Sequence, residues 1–100
     1  MLNIEKKTEG KALDLIISGR VDTTTAPELE AEVKNNLEGI ESLAFDFAGV
    51  DYISSAGLRV LLSAQKIMNK QGSMVIRNCS KNIIEIFEVT GFSDILTIEE

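Results

Sequence analysis

LAFDFAGVDYISSAGLRVLL, residues 43 to 62, changes its periodicity in the middle, and that change decides the fold. Leu43, Phe45 and Phe47 point one way while Ala44 and Asp46 point the other, the period of two expected of a strand covered on one face. A turn is expected at Gly49 to Asp51. From Ser55 to about Lys70 the apolar residues Leu58, Leu61, Leu62 and Met68, joined by Val60, Ala64 and Ile67, instead follow a helical spacing. So wide an apolar stripe predicts a helix packed on a sheet.

The flanking segments extend the alternation of strand and helix. Upstream, Leu13, Leu15 and Ile17 predict a strand, and Leu2 to Thr8 a weaker one joined to it by a hairpin at Glu9 and Gly10 and lying toward an edge. Thr25, Ala26 and Pro27 precede Leu29, Val33 and Leu37. A hydroxyl to cap, a proline in the first turn and Glu28 and Glu30 at the positive end of the dipole predict a helix start, with Gly39 as its stop. Downstream, Met74 to Ile76 reads as a short buried strand, Asn82 to Val89 as a helix ended by Gly91, and Ile95 to Ile98 as a last edge strand. The order predicts one α/β domain over residues 1 to 100, a mixed sheet of four or five strands with helices packed on it, beginning near Pro27, Ser55 and Ser80. Leu13, Leu15, Phe45, Leu61 and Phe87 are the expected core.

Composition narrows the chemistry. The 100 residues include no histidine and one cysteine, Cys79, which excludes disulfides, histidine-based triads and cysteine-histidine metal clusters within the chain. No catalytic pair, metal site or cofactor motif is expected: the glycines make no phosphate-cradling spacing, and Cys79 reads as a buried or inert thiol. Ten basic against sixteen acidic residues give a net charge of −6, which opposes binding to nucleic acid or an anionic membrane and favours a protein or small-ligand partner. No signal peptide or membrane-spanning run is visible, so a cytoplasmic protein is expected.

Two strand-to-helix junctions hold the candidate site. At the second, Ser54 and Ser55 stand where backbone N–H groups lack partners; a serine here can cap the helix or accept a phosphate that the dipole tolerates. Gly57 in the first helical turn costs roughly 1 kcal/mol relative to alanine. Close approach by a kinase and close packing on the sheet explain that cost equally well. At the first junction, GRVDTTTAPEL, residues 19 to 29, carries Asp22, Thr23 and Thr24, ordinary capping residues by type. Loops leaving the carboxyl ends of strands gather on one edge of such a sheet, so the two junctions are expected to share a surface.

In their order and spacing, LIISGRVD, TTTAPEL, LAFDFAGVDYISSAGLRVLL, GSMVIRNCS and IFEVTGFSDIL resemble the STAS domains, and among them the stand-alone bacterial anti-sigma-factor antagonists. The resemblance implies a non-enzymatic switch. In its unphosphorylated form it binds an anti-sigma factor that is also a serine kinase of the GHKL type and frees a sigma factor; a phosphatase resets it. In the family's D-S-S/T-G-L pattern, Gly57 and Leu58 align with G-L, which places the phosphoacceptor on Ser55, Ala56 on the second hydroxyl and Ser54 on the aspartate. Loss of that aspartate leaves Ser54 as the alternate acceptor. The implied partner surface comprises Asp22, Thr23, Thr24, Asp51, Ser54, Ala56, Gly57 and Leu58. The alternative reading is a ligand-binding or scaffold STAS module that holds a nucleotide or other anion without being phosphorylated.

Overall fold

A computed structural model describes residues 2–99. Strands β1 (Asn3–Glu9) and β2 (Ala12–Val21) form an antiparallel hairpin, followed by α1 (Ala26–Asn36), β3 (Ser42–Ile53), α2 (Ser55–Gln71), β4 (Ser73–Arg77), α3 (Lys81–Thr90), a 3₁₀ turn at Phe92–Asp94 and β5 (Ile98–Glu99). The sheet order is β1-β2-β3-β4-β5. Only β1 runs antiparallel to its neighbour, so the sheet is mixed as expected, with β1 at an edge.

Alternation along the strands turns Leu13, Leu15 and Ile17 of β2, Leu43, Phe45 and Phe47 of β3, and Met74 and Ile76 of β4 into one core. The rings of Phe45 and Phe47 meet edge to face with centroids 6.1 Å apart. Leu29 and Val33 of α1, Leu61, Ala64 and Met68 of α2, and Ile83 and Phe87 of α3 complete it. All five residues named above as core are buried at 2% exposure or less. At about 25 cal/mol per Å² of apolar surface, these side chains dominate the stability of the fold.

Four boundaries differ from expectation. No turn forms at Gly49 to Asp51: β3 continues to Ile53 because it pairs in parallel with β2 as far as Val21↔Ile53, with irregularities in register near Ile16–Ser18 and Gly19–Arg20. Gly49 serves this pairing, since a Cβ there would sit 2.5 Å from the Ser18 Cβ. The first helix ends at Asn36 rather than Gly39, which lies in the following turn with φ +79°. Thr25 occupies the cap position of α1 without capping it, because its hydroxyl donates back to the Arg20 carbonyl at 2.8 Å. Finally, Ile95 to Ile98 is mostly not strand. Gly91 closes α3 at φ +83°, the chain winds through the 3₁₀ turn to bury Leu96, the Thr97 carbonyl accepts the Ile76 N–H of β4 at 3.0 Å, and Ile98–Glu99 pair with β4 as a short strand.

Candidate functional site

Parallel pairing of β2 and β3 brings their carboxyl ends together, so the loops that leave them lie side by side. The contact is direct: the Ser54 N–H donates to the Val21 carbonyl at 2.7 Å. Residues 22–25 and the start of α2 are thereby fixed beside one another, as loop clustering predicts. Between them lies a shallow cleft of about 200 Å³ lined by Thr23, Ala26, Pro27, Ala56, Arg59 and Val60, among others.

At the α2 start the two serines have separate tasks. Ser54 has extended backbone angles, φ −91° and ψ 175°, and its Oγ accepts the Gly57 N–H at 3.4 Å, while its carbonyl accepts the Leu58 N–H at 2.9 Å. Ser54 is the cap. Ser55 is the first helical residue and is exposed, and its hydroxyl has no hydrogen-bond partner among the described residues. A phosphate on this oxygen would face the unpaired N–H groups of the first turn and the positive end of the dipole.

The cost of Gly57 is explained by packing. A Cβ there would lie 2.6 Å from Val21 Cγ1 and 2.7 Å from Ile53 Cγ1, so only glycine lets the helix start settle onto the two strand ends. Gly57 and Leu58 are accordingly buried, Leu58 at 5% exposure. That corrects their expected place on the partner surface: they seat α2 in the core and leave Ala56 half-exposed and Ser55 exposed beside the cleft.

The β2–α1 loop is built around one carboxylate. Asp22 Oδ1 accepts from the Thr24 N–H at 3.0 Å, the Thr24 hydroxyl at 2.7 Å and the Thr25 N–H at 3.1 Å, with Thr25 Oγ1 3.2 Å away. These donors, the Thr24 hydroxyl first, hold the Asp22 carboxyl below its usual range. Its second oxygen lies 3.9 Å from Arg20 Nε, and the Arg20 guanidinium stacks over the Tyr52 ring at 4.2 Å. Thr23 and Thr24 remain exposed, and so does Asp51, one residue before Tyr52 on β3.

Sequence reasoning did not find Arg20, Tyr52 or Arg59. Arg20 and Tyr52 become neighbours only through the strand register, and Arg59 joins the cleft by its position one turn beyond Ser55. Cys79 is half-buried, and burial raises its thiol to about 11, so it stays protonated and unreactive at neutral pH. No helix among the described residues is long and apolar enough to cross a membrane.

The profile of the STAS domain matches residues 3–100. This chain belongs to the STAS domain family. Among its relatives, an anti-sigma-B factor antagonist of Listeria monocytogenes is 34% identical over 94% of this chain and 84% of its own length. An anti-sigma-B factor antagonist of Bacillus subtilis is 31% identical over 97% and 90%. The crystal structure of an anti-sigma factor antagonist from Mycobacterium paratuberculosis superposes with a TM-score of 0.89 at 18% identity, covering 98% of this chain and 85% of that one, and so shares the STAS fold.

Proposed function

We propose that this protein is an anti-sigma factor antagonist whose docking on its anti-sigma factor is switched off by phosphorylation of Ser55. One observation carries the reading: Ser54 supplies the helix cap, which leaves Ser55 exposed with an uncommitted hydroxyl beside the Asp22–Thr24 loop. Unphosphorylated, the surface of Thr23, Thr24, Asp51 and Ala56 around Ser55 docks on the anti-sigma factor, itself a GHKL-type serine kinase, and a sigma factor is released. The relatives named as anti-sigma-B factor antagonists support the antagonist part of this reading.

A phosphate adds about −1.5 to −2 charge, which the α2 dipole tolerates but a closely docked partner does not. Desolvation and repulsion therefore fall on the complex while the fold is spared, and a cytoplasmic phosphatase restores docking. The chain's own residues perform no bond-making in this scheme: phosphate comes from the partner and leaves by another enzyme.

Mass spectrometry of protein purified from its own cells tests the scheme, with a phosphopeptide expected over residues 50 to 59 carrying phosphate on Ser55. With the cognate kinase, Ser55→Ala should take up no phosphate and retain the partner. Labelling that persists in Ser55→Ala but vanishes in Ser54→Ala would move the switch to the cap residue. A bound nucleotide without any phosphopeptide would favour an anion-binding module instead.

A further inference from the structure

A second opening, of about 400 Å³, lies between the end of β3 and α3. Its apolar surfaces are Tyr52, Ile86 and Val89, and its charged groups are Asp51 and Glu85; no lysine or arginine lines it. Val89 is 80% exposed, and among the described residues it and Ile95 are the exposed large apolar side chains.

Helical spacing turns this face of α3 away from the core, with Ile86 at the boundary, half-buried against it. Ile83 and Phe87 anchor α3 and are fully buried, whereas Asn82, Glu85, Ile86 and Val89, spaced three and four apart, line the opening. Neither Asp51 nor Glu85 has an ion-pair partner among the described residues. Two unpaired carboxylates beside exposed Val89 and the half-buried Ile86 and Tyr52, the latter with the Arg20 guanidinium over its ring, complement an apolar segment flanked by lysine or arginine.

Other occupants fit the charge less well. Nucleic acid and anionic lipid have the wrong sign. A second copy carries the same net −6, and a two-fold contact through this face would set Glu85 toward Glu85. The opening and the start of α2 both lie at the carboxyl end of β3, where Asp51 and Tyr52 precede buried Ile53 and the two serines in the chain.

We infer that this α3 groove receives a basic, apolar-faced segment of the same partner, extending the docking surface from Ser55 across Asp51 and Tyr52 onto Glu85, Ile86 and Val89. The inference rests on the switch reading above. It divides the surface into a part that phosphate disrupts and a part that phosphate leaves intact.

Photo-crosslinking in the source organism tests it, with p-benzoylphenylalanine placed at Val89 or at Thr23 in the full chain. Both side chains are exposed, so neither replacement disturbs the core. Both positions should give an adduct with one and the same protein, the kinase that phosphorylates Ser55. The peptide captured at Val89 should carry lysine or arginine beside apolar residues, and adding Glu85→Lys should lower that adduct roughly tenfold by setting like charges face to face. No adduct at Val89, an adduct with a second copy of this chain, an acidic captured peptide, or indifference to Glu85→Lys would overturn the inference. If Thr23 still captures the Ser55 kinase, the switch reading survives that failure. If Thr23 captures nothing and Ser55 carries no phosphate, both fall.

Discussion

The two strand-to-helix junctions occupy equivalent places in the sheet, yet one is closed on itself and the other is left open. At the β2–α1 junction a single oxygen of Asp22 takes up two N–H groups and the Thr24 hydroxyl, and the Thr25 hydroxyl turns back to the Arg20 carbonyl. At the β3–α2 junction one serine makes one cap bond, and the next carries a hydroxyl into solvent. A rigid loop beside a chemically available hydroxyl suits a switch, because the modified group changes while the surface that presents it holds still.

The comparison breaks most sharply at Gly57. Gly57→Val places a branched side chain against Val21 and Ile53, and the overpacking should cost about 3 kcal/mol in urea unfolding, at the upper end for such insertions. Gly57→Ala gains about 1 kcal/mol in helix propensity but meets the same contacts, and should still be net destabilising. A stabilised Gly57→Ala would show that the strand ends yield easily and that the close approach is not needed.

Removing the carboxylate at the closed junction comes next. Asp22→Ala should lower the melting temperature at pH 7 and mobilise residues 22–25, seen as faster amide exchange at Thr24 and Thr25. Because the folded-state pKa of Asp22 is depressed, its contribution is fully present above the ordinary value of 3.8 and is lost as pH falls through the lower folded value. The melting difference between wild type and Asp22→Ala should therefore shrink only in strongly acidic solution. A difference that closes already between pH 7 and 5 would contradict the hydrogen-bonded geometry.

Smaller effects sharpen the contrast between the serines. Ser54→Ala should cost about 0.5 to 1 kcal/mol, the low end for a cap, since its hydrogen bond is long at 3.4 Å. Ser55→Ala should be nearly silent in thermal melts while abolishing phosphate uptake. Ser55→Asp should stabilise slightly, by about 0.3 kcal/mol, and weaken partner binding. If the stability losses of the two alanine variants were reversed, the cap would belong to Ser55 and the switch assignment with it.

Much of this was legible in the chain because its periodicities are strong. The alternation through Leu43, Phe45 and Phe47, and the apolar stripe from Leu58 to Met68, locate a strand and a helix without help from the rest of the molecule. The boundaries were less legible where local signals compete with pairing. Gly49 and Asp51 look like a turn, but parallel pairing with β2 keeps them extended; Ile95 to Ile98 look like a strand, but the 3₁₀ turn and the burial of Leu96 use most of them. Thr25 looks like a cap until Asp22 takes up the neighbouring donors.

By itself the sequence determined the element order, the core and the presence of two serines at a helix start, because these follow from residue type and spacing along one chain. Which serine caps, why position 57 must be glycine, and that Arg20 stacks on Tyr52 were decided only by the tertiary structure. Each of those depends on the β2–β3 register, a relation between residues about 30 apart that no local pattern encodes.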